Sequence, residues 1–422
     1  MRRPRPQPPP AGPPVELVVE AVGGEGDGVA VGPTYVPFTL PGERVRAAGA
    51  GERRTLVEVL EPSLERVAPP CPHFHACGGC ALQHWAPAPY LAWKVERLRA
   101  TLARQRIETE LLTAFAAKPA SRRRLALHAR KGTAAAARLG YKARRSWELV
   151  EIAVCPIAEP RLQVAIPALK RLAAPLFEHP KSAPTLHVTL TDSGLDVEIS
   201  GVESRSGGLS ADARVQLAER AAAADFARVS LDGEVAYQAR APQVRLGPAI
   251  VDLPPGAFLQ ATREAEAAMA DFVAEAAAGA RRIADLYCGV GTFTFRLAQI
   301  APVHALDASA EAIRALAAAA GALGQGAVTT EVCDLVRRPV LAAELKRTDV
   351  AVFDPPRAGA AEQAAELARS AVARVIGVSC NPATFARDAR TLIEAGFRLA
   401  RVLPLDQFLW SPHIELVGVF DR

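Results

Sequence analysis

The sequence predicts an α/β protein of three domains. A small N-terminal β-barrel is expected over 15–65, a central α+β domain over 66–250, and a C-terminal α/β domain on a mostly parallel sheet over 251–422. Three observations lead there. A chain of 422 residues exceeds one ordinary domain, at roughly 150 residues each. The stretch from Val15 to about Leu60 holds short β-rich runs broken by glycines and by Pro41-Gly42. Beyond residue 255 or so, short apolar runs alternate with longer helical patterns, the rhythm of βαβ units.

Taken in order, residues 1–14 contain 7 Pro and no apolar run, the composition of a disordered tail and not of a signal peptide. Glu16–Val19 and Thr55–Val59 read as strands of the barrel. A Cys-rich loop follows, then a helical pattern over Tyr90–Leu112, with Leu91, Val95, Leu98 and Leu102 on one side. This helix is a candidate to pack on the C-terminal domain. Arg124–Arg130 and Trp147–Val154 read as strands, and Leu186–Leu190 with Leu195–Ile199 as a hairpin. Strands ending at Asp285, at Asp307, before Asp334, before Asp354 and before Cys380 then build the C-terminal sheet, with two further runs at 397–406 and 416–420.

Half the residues are hydrophobic and 23% are charged, so global disorder is excluded. No uncharged apolar stretch of 18 residues occurs, and the chain is read as cytoplasmic with no membrane partner. Seven cysteines, an odd number spread over 422 residues, argue against a secreted disulfide scaffold. The net charge of +5 hides an island: residues 118–147 hold ten Lys/Arg and no acid. Of the 50 basic residues 43 are Arg, whose planar fork suits phosphate, although Arg is abundant throughout this Ala-rich chain.

The chemistry concentrates at strand ends. In Asp285-Leu286-Tyr287-Cys288-Gly289-Val290-Gly291, an acid closes a strand and two glycines open the following turn to close ligand approach. The dinucleotide pattern G-x-G-x-x-G is absent. Asp307, 22 residues later, can accept both hydroxyls of a ribose, so the pattern favours S-adenosylmethionine over a dinucleotide. Asp354-Pro355-Pro356-Arg357 holds a rigid loop over the sheet edge; Arg357 stands where adenine-methylating enzymes place a stacking aromatic. Cys380 ends a strand beside a helix start, where the helix N-terminus favours a thiolate. Glu415, with His413, precedes the last strand.

A thiol and a carboxylate beside a sulfonium methyl donor make one chemistry. Uracil C5 becomes nucleophilic once a thiolate adds at C6, and a base must then take the C5 proton. Cys380 and Glu415 could fill those roles. Cys71, Cys77 and Cys80 lie within ten residues, with Cys155 far along the chain; such a set suits an iron–sulfur cluster or zinc. His73, His75 and His84 are alternative ligands nearby. Cys288 and Cys333 read as packing.

These motifs together resemble the RNA 5-methyluridine methyltransferase family, in particular its iron–sulfur branch acting on 23S ribosomal RNA. DLYCGVGTFT, DPPRAG and SCNPATFARD resemble its methyltransferase motifs, CPHFHACGGCALQHW with Cys155-Pro156-Ile157 its cluster ligands, and the segment around GEGDGVA and FTLPGERV its TRAM domain. The resemblance implies a Rossmann-like methyltransferase domain behind a TRAM/OB-like barrel. It implies Cys380 as nucleophile, Glu415 as base and a [4Fe–4S] cluster on Cys71, Cys77, Cys80 and Cys155. Methyl-donor contacts would come from Phe258, Gln260, Asp285, Tyr287, Gly289, Gly291, Asp307, Asp334 and Asp354. Arg122, Arg123, Arg124, Arg130, Lys131, Arg144 and Arg145 would meet RNA phosphates, unless they form a solvated face. The chain departs from the family at Thr262, where Asn is usual, at Thr292 and at Asp307. No obligate protein partner is implied, and a monomer is expected. The rivals are the transfer-RNA branch and a non-catalytic RNA-binding assembly factor that keeps the fold.

Overall fold

A computed structural model describes residues 12–202, 208–324 and 327–422, so most of the expected N-terminal tail lies outside the described residues. The chain forms two compact units. The first holds the chain up to Arg97, Gly140–Pro156 and Phe408–Pro412; the second holds Leu98–Leu139, Ile157–Gln407 and His413–Arg422.

In the first unit, β1 (Val15–Val22), β2 (Asp27–Ala30), β3 (Thr34–Pro37), β4 (Arg44–Ala48) and β5 (Thr55–Glu61) pair antiparallel in the order β3-β2-β1-β4-β5. Tyr35 of β3 bridges to Arg53 just before β5, which curls the sheet toward closure. Val19, Val36, Val45 and Ala47 fill its interior while intervening residues face water, the period-two pattern of a half-buried sheet. The Cys-rich loop then leads into α1 (Pro87–Arg104), and Leu82, Trp85 and Tyr90 pack with Val22 and Leu40.

The helix expected over Tyr90–Leu112 stops at Arg104. Arg106 turns the chain at a positive φ of 55°, and the next apolar residues build edge strands instead. β6 (Glu110–Leu111) and β7 (Phe115–Ala116) pair in parallel with β22 (Arg398–Asp406) of the C-terminal sheet. Leu98, Leu102 and Ile107 join that sheet's core.

β8 (Arg124–Arg130) alternates buried and exposed side chains. β9 (Arg138–Lys142) and β10 (Leu149–Glu151) form an antiparallel hairpin. After α2 (Pro160–Leu172), β11 (Thr185–Leu190) and β12 (Leu195–Ser200) make the expected hairpin beside β8. α3 (Ala211–Ala223), β13 (Arg228–Leu231) and β14 (Glu234–Gln238) extend that sheet, and β15 (Gln243–Leu246) with β16 (Ala249–Asp252) form a separate ribbon.

The C-terminal sheet follows α4 (Arg263–Ala276). It comprises β17 (Ile283–Leu286), α5 (Thr294–Leu297), β18 (Val303–Asp307), α6 (Ala310–Ala322), β19 (Val328–Val332), β20 (Val350–Phe353), α7 (Ala361–Arg369), β21 (Arg374–Ser379), α8 (Pro382–Glu394), β22 and β23 (Glu415–Asp421). The order is β19-β18-β17-β20-β21-β23-β22-β6. β17 to β21 are parallel and β23 runs antiparallel between β21 and β22. β17 and β20 are buried on both faces, which is why they read as unbroken apolar runs. Strand order reverses between β17 and β20, and in such sheets ligands bind outside the carboxyl ends at that point. Because β23 is antiparallel, its first residue lies at the same edge as the last residues of β20, β21 and β22.

Candidate active site

The β17 edge is built for close approach. Tyr287 takes a positive φ of 61°, a strained conformation for a bulky residue. Gly289 (φ 55°) and Gly291 (φ 99°) follow. A Cβ on Gly289 would meet no atom within 4 Å, whereas one on Gly291 would stand 2.5 Å from the Phe295 ring. Gly289 therefore borders open space, and Gly291 lets the turn close on α5.

Acids line this edge. Asp285 is buried; its Oδ2 accepts from the Thr294 hydroxyl at 2.6 Å, and its Oδ1 has no partner among the described residues. Burial pushes its carboxyl up to about 7, Thr294 opposes this, and Asp354 and Asp307 add to it. Asp307 accepts from the Gly289 amide at 3.0 Å and the Ser309 amide at 2.8 Å, tying the glycine turn to β18. Asp334 is exposed and caps its own turn by accepting from the Val336 amide at 3.1 Å.

Cys380 and Glu415 come to the same edge from neighbouring strands. Glu415 is 3% exposed, and its carboxyl is raised well above the usual range by burial first, then by Asp354, against a Gln407 hydrogen bond and the Arg357 charge. Asp354 is likewise raised by burial, although it keeps some contact with solvent. The expectation that the helix end lowers the Cys380 thiol is not met. Cys380 lies before the Asn381 cap of α8. Burial pushes its thiol up to about 11, Glu415 and Asp354 add to this, and Arg357 opposes it. Arg357 is exposed; its carbonyl accepts from Asn381 at 3.0 Å, and its guanidinium lies 3.4 Å from His413 Nδ1.

Phe258 and Gln260 alternate out and in. Phe258 is 67% exposed beneath the Arg124 guanidinium at 4.8 Å. Gln260 is buried and donates to Asp354 at 3.3 Å. Thr262 caps α4, its hydroxyl accepting from Ala265 at 3.1 Å, so this departure from the family pattern serves the helix. Sequence reasoning missed Gln407. Its Nε2 donates to Glu415 and to Gln260, both at 2.8 Å. The residue stands one position beyond β22 at the same edge as the residues that were found, so the strand-end rule could have found it.

Three comparisons place this arrangement. Residues 343–422 match the family profile described as tRNA (Uracil-5-)-methyltransferase. Over 413 residues the chain is 62% identical to an uncharacterized RNA methyltransferase of Caulobacter vibrioides, covering 96% of this chain and 100% of that protein. It is 34% identical to the 23S rRNA (uracil(1939)-C(5))-methyltransferase RlmD of Halomonas elongata, covering 96% of this chain and 89% of that one. The chain belongs to the RNA uracil-5 methyltransferase family. Its fold is also that of the Pyrococcus abyssi tRNA (uracil-54, C5)-methyltransferase, crystallised with S-adenosyl-L-homocysteine, at TM-score 0.74 and 25% identity over 96% of this chain and 99% of that one. It is an S-adenosylmethionine-dependent uracil-C5 RNA methyltransferase.

In this uracil-5 methyltransferase the four candidate ligand cysteines fall in the first unit. Cys77 is raised by burial, opposed by the Gly79 amide, and raised further by Cys155 and Cys71. Cys80 reaches about 12, from burial first, with Cys155, Cys77 and Cys71 adding. The four thiols thus lie near enough to disfavour one another's ionisation, but among the described residues no three ligating side chains close on a common point. Gly78 seats the loop on β9: its amide donates to the Lys142 carbonyl at 3.0 Å, and a Cβ there would stand 2.7 Å from that oxygen. The Gly79 amide donates to Cys77 Sγ at 3.4 Å. His73 accepts from the Ala153 amide at 3.2 Å, while His84 is buried against Phe74.

The basic residues of the methyltransferase divide. Arg123 is 1% exposed and forms an internal ion pair with Glu266, so it corrects the expectation of a phosphate contact. Arg124 is mostly covered and donates to the Leu259 carbonyl at 2.7 Å. Arg144 and Arg145 each pair with Asp27 at 2.9 Å, and Arg145 also with Glu25. Arg122 and Arg130 are half-buried, each bonded to a nearby carbonyl, and Lys131 is exposed.

Proposed function

We propose that this enzyme methylates C5 of a uridine in 23S ribosomal RNA through a covalent adduct on Cys380, with Glu415 as the base. The observation that carries this reading is the convergence of one thiol and one buried carboxyl where β21 ends and the antiparallel β23 begins. Cys380 gives up its thiol proton to solvent, the thiolate Sγ bonds to C6, and the electron pair of the C5=C6 bond moves toward O4. C5 then takes the methyl group as the sulfonium bond breaks and leaves S-adenosylhomocysteine. Glu415 removes the C5 proton, the C6–S bond breaks, and the double bond and thiolate are restored.

The raised acids suit a cationic methyl donor, because a positive charge beside Asp285 and Asp354 favours their ionised forms. The unpartnered Asp285 Oδ1 is a ready acceptor for it. In this reading Gly289, Gly291, Tyr287, Gln260, Phe258 and the more distant Asp334 complete the donor site. Arg357, which opposes the shifts of both Cys380 and Glu415, faces the ring charge that forms on addition. The target base must be exposed or flipped out to reach Cys380.

The N-terminal barrel is read as a TRAM domain, and Cys71, Cys77, Cys80 and Cys155 as ligands of a [4Fe–4S] cluster. An all-sulfur donor set with an amide donating to one sulfur supports the cluster. Methyl transfer needs no redox step, so the cluster is assigned a structural or RNA-positioning role. Anaerobically purified protein should be brown with broad absorbance near 400 nm, from the general absorption of such clusters. A colourless, zinc-loaded and fully active preparation would refute this assignment. The relative acting on 23S ribosomal RNA supports that substrate; the Pyrococcus structure favours transfer RNA as the second reading. Mapping 5-methyluridine in both RNAs from cells with and without the gene decides between them.

A further inference from the structure

We propose that Gln407 is a positioning residue: its amide fixes the carboxylate of Glu415 and links it through Gln260 to Asp354 at the methyl-donor edge. This rests on Glu415 being the base. The orientation of the amide follows from donors and acceptors alone. The Ala261 backbone N–H can only donate, and it donates to Gln407 Oε1 at 2.9 Å. The Nε2 end must then face the other way, and both its hydrogens are committed, to Glu415 Oε2 and Gln260 Oε1. Gln260 is set in turn, with its own Nε2 toward Asp354 Oδ2. The result is a one-way chain of N–H donors ending on two acids. Gln407, Gln260 and Glu415 are each 3% exposed or less, so water does not replace a lost bond cheaply.

Two consequences follow for proton removal at C5. Gln407 takes one oxygen of Glu415 and leaves Oε1 as the proton acceptor. It also supports the ionised form of Glu415 against burial and Asp354. The groups facing Glu415 are Asp354 and Arg357 from the β20 end, Cys380 from the β21 end and Gln407 from the β22 end, with His413 beside Arg357.

The test uses the full enzyme, RNA substrate and labelled methyl donor, and reads the methylated covalent complex on a denaturing gel together with the pH profile of turnover. Gln407→Met should slow turnover about tenfold at neutral pH, accumulate the methylated adduct, and move the rise of the pH profile up by about one unit, the scale of one hydrogen bond to a buried charge. Gln407→Glu keeps the shape and the Ala261 bond but sets a second carboxyl against Glu415, so it must also accumulate adduct, even if the Met variant does not fold. Lower turnover with no adduct and an unmoved pH profile, or unchanged turnover, overturns the proposal. Glu415→Gln serves as reference. If it too accumulates no adduct, the base assignment itself fails; if it does and the Gln407 variants do not, only the relay fails.

Discussion

Asp285 owes its raised carboxyl to burial and to two further acids, and no cation is among the groups that shift it. Its folded value lies above the ordinary carboxylate range, so the protonated form is bound more tightly in the folded chain. Such a group contributes stability below the ordinary range and loses it as pH rises through about 7. Asp354 and Glu415 act in the same direction. Without methyl donor, the thermal midpoint should therefore fall as pH is raised from about 5 to about 8, and S-adenosylmethionine should flatten that fall. A midpoint independent of pH over this window contradicts the electrostatic account. Asp285→Asn keeps the shape and removes the charge. It should weaken S-adenosylmethionine about tenfold, near 1.4 kcal/mol, by calorimetric titration.

At the scale of elements, the strand ends were legible because buried parallel strands read as apolar runs, and the residue after each run is the one the sheet presents to a ligand. The end of α1 was not legible. Ile107 and Leu111 continue an apolar pattern, and no Gly or Pro marks the turn at Arg106. Gln407 escaped because an amide carries no charge or nucleophile to draw notice, although its position obeys the same edge rule. Gly291 is an element-level constraint. Gly291→Ala must hold φ near 99° and place a Cβ against Phe295, so chemical denaturation should show a loss of about 1–3 kcal/mol.

Across the molecule, a count of charges marked residues 118–147 as one basic island, but the fold disperses it. Arg123 meets Glu266, 143 residues away, inside the second unit, whereas Arg144 and Arg145 meet Asp27 in the first. Partners so distant along the chain leave no mark in local composition. Arg123→Met would strand the Glu266 charge and should cost about 3–5 kcal/mol of stability. Lys131→Ala should instead leave stability unchanged and reduce the salt slope of RNA binding by about one. An Arg123→Met protein of unchanged stability contradicts the buried pair.

The central claim is the covalent route through Cys380, and RNA carrying 5-fluorouridine at the target position tests it most directly, since fluorine at C5 gives the base no proton to remove. With S-adenosylmethionine, the wild-type enzyme should form a complex that survives denaturation and carries the labelled methyl group. Cys380→Ala should form none, while still binding the RNA and failing to methylate the natural substrate. Methylation by Cys380→Ala, or the absence of any trapped complex with wild-type enzyme that methylates the natural RNA, would contradict the account.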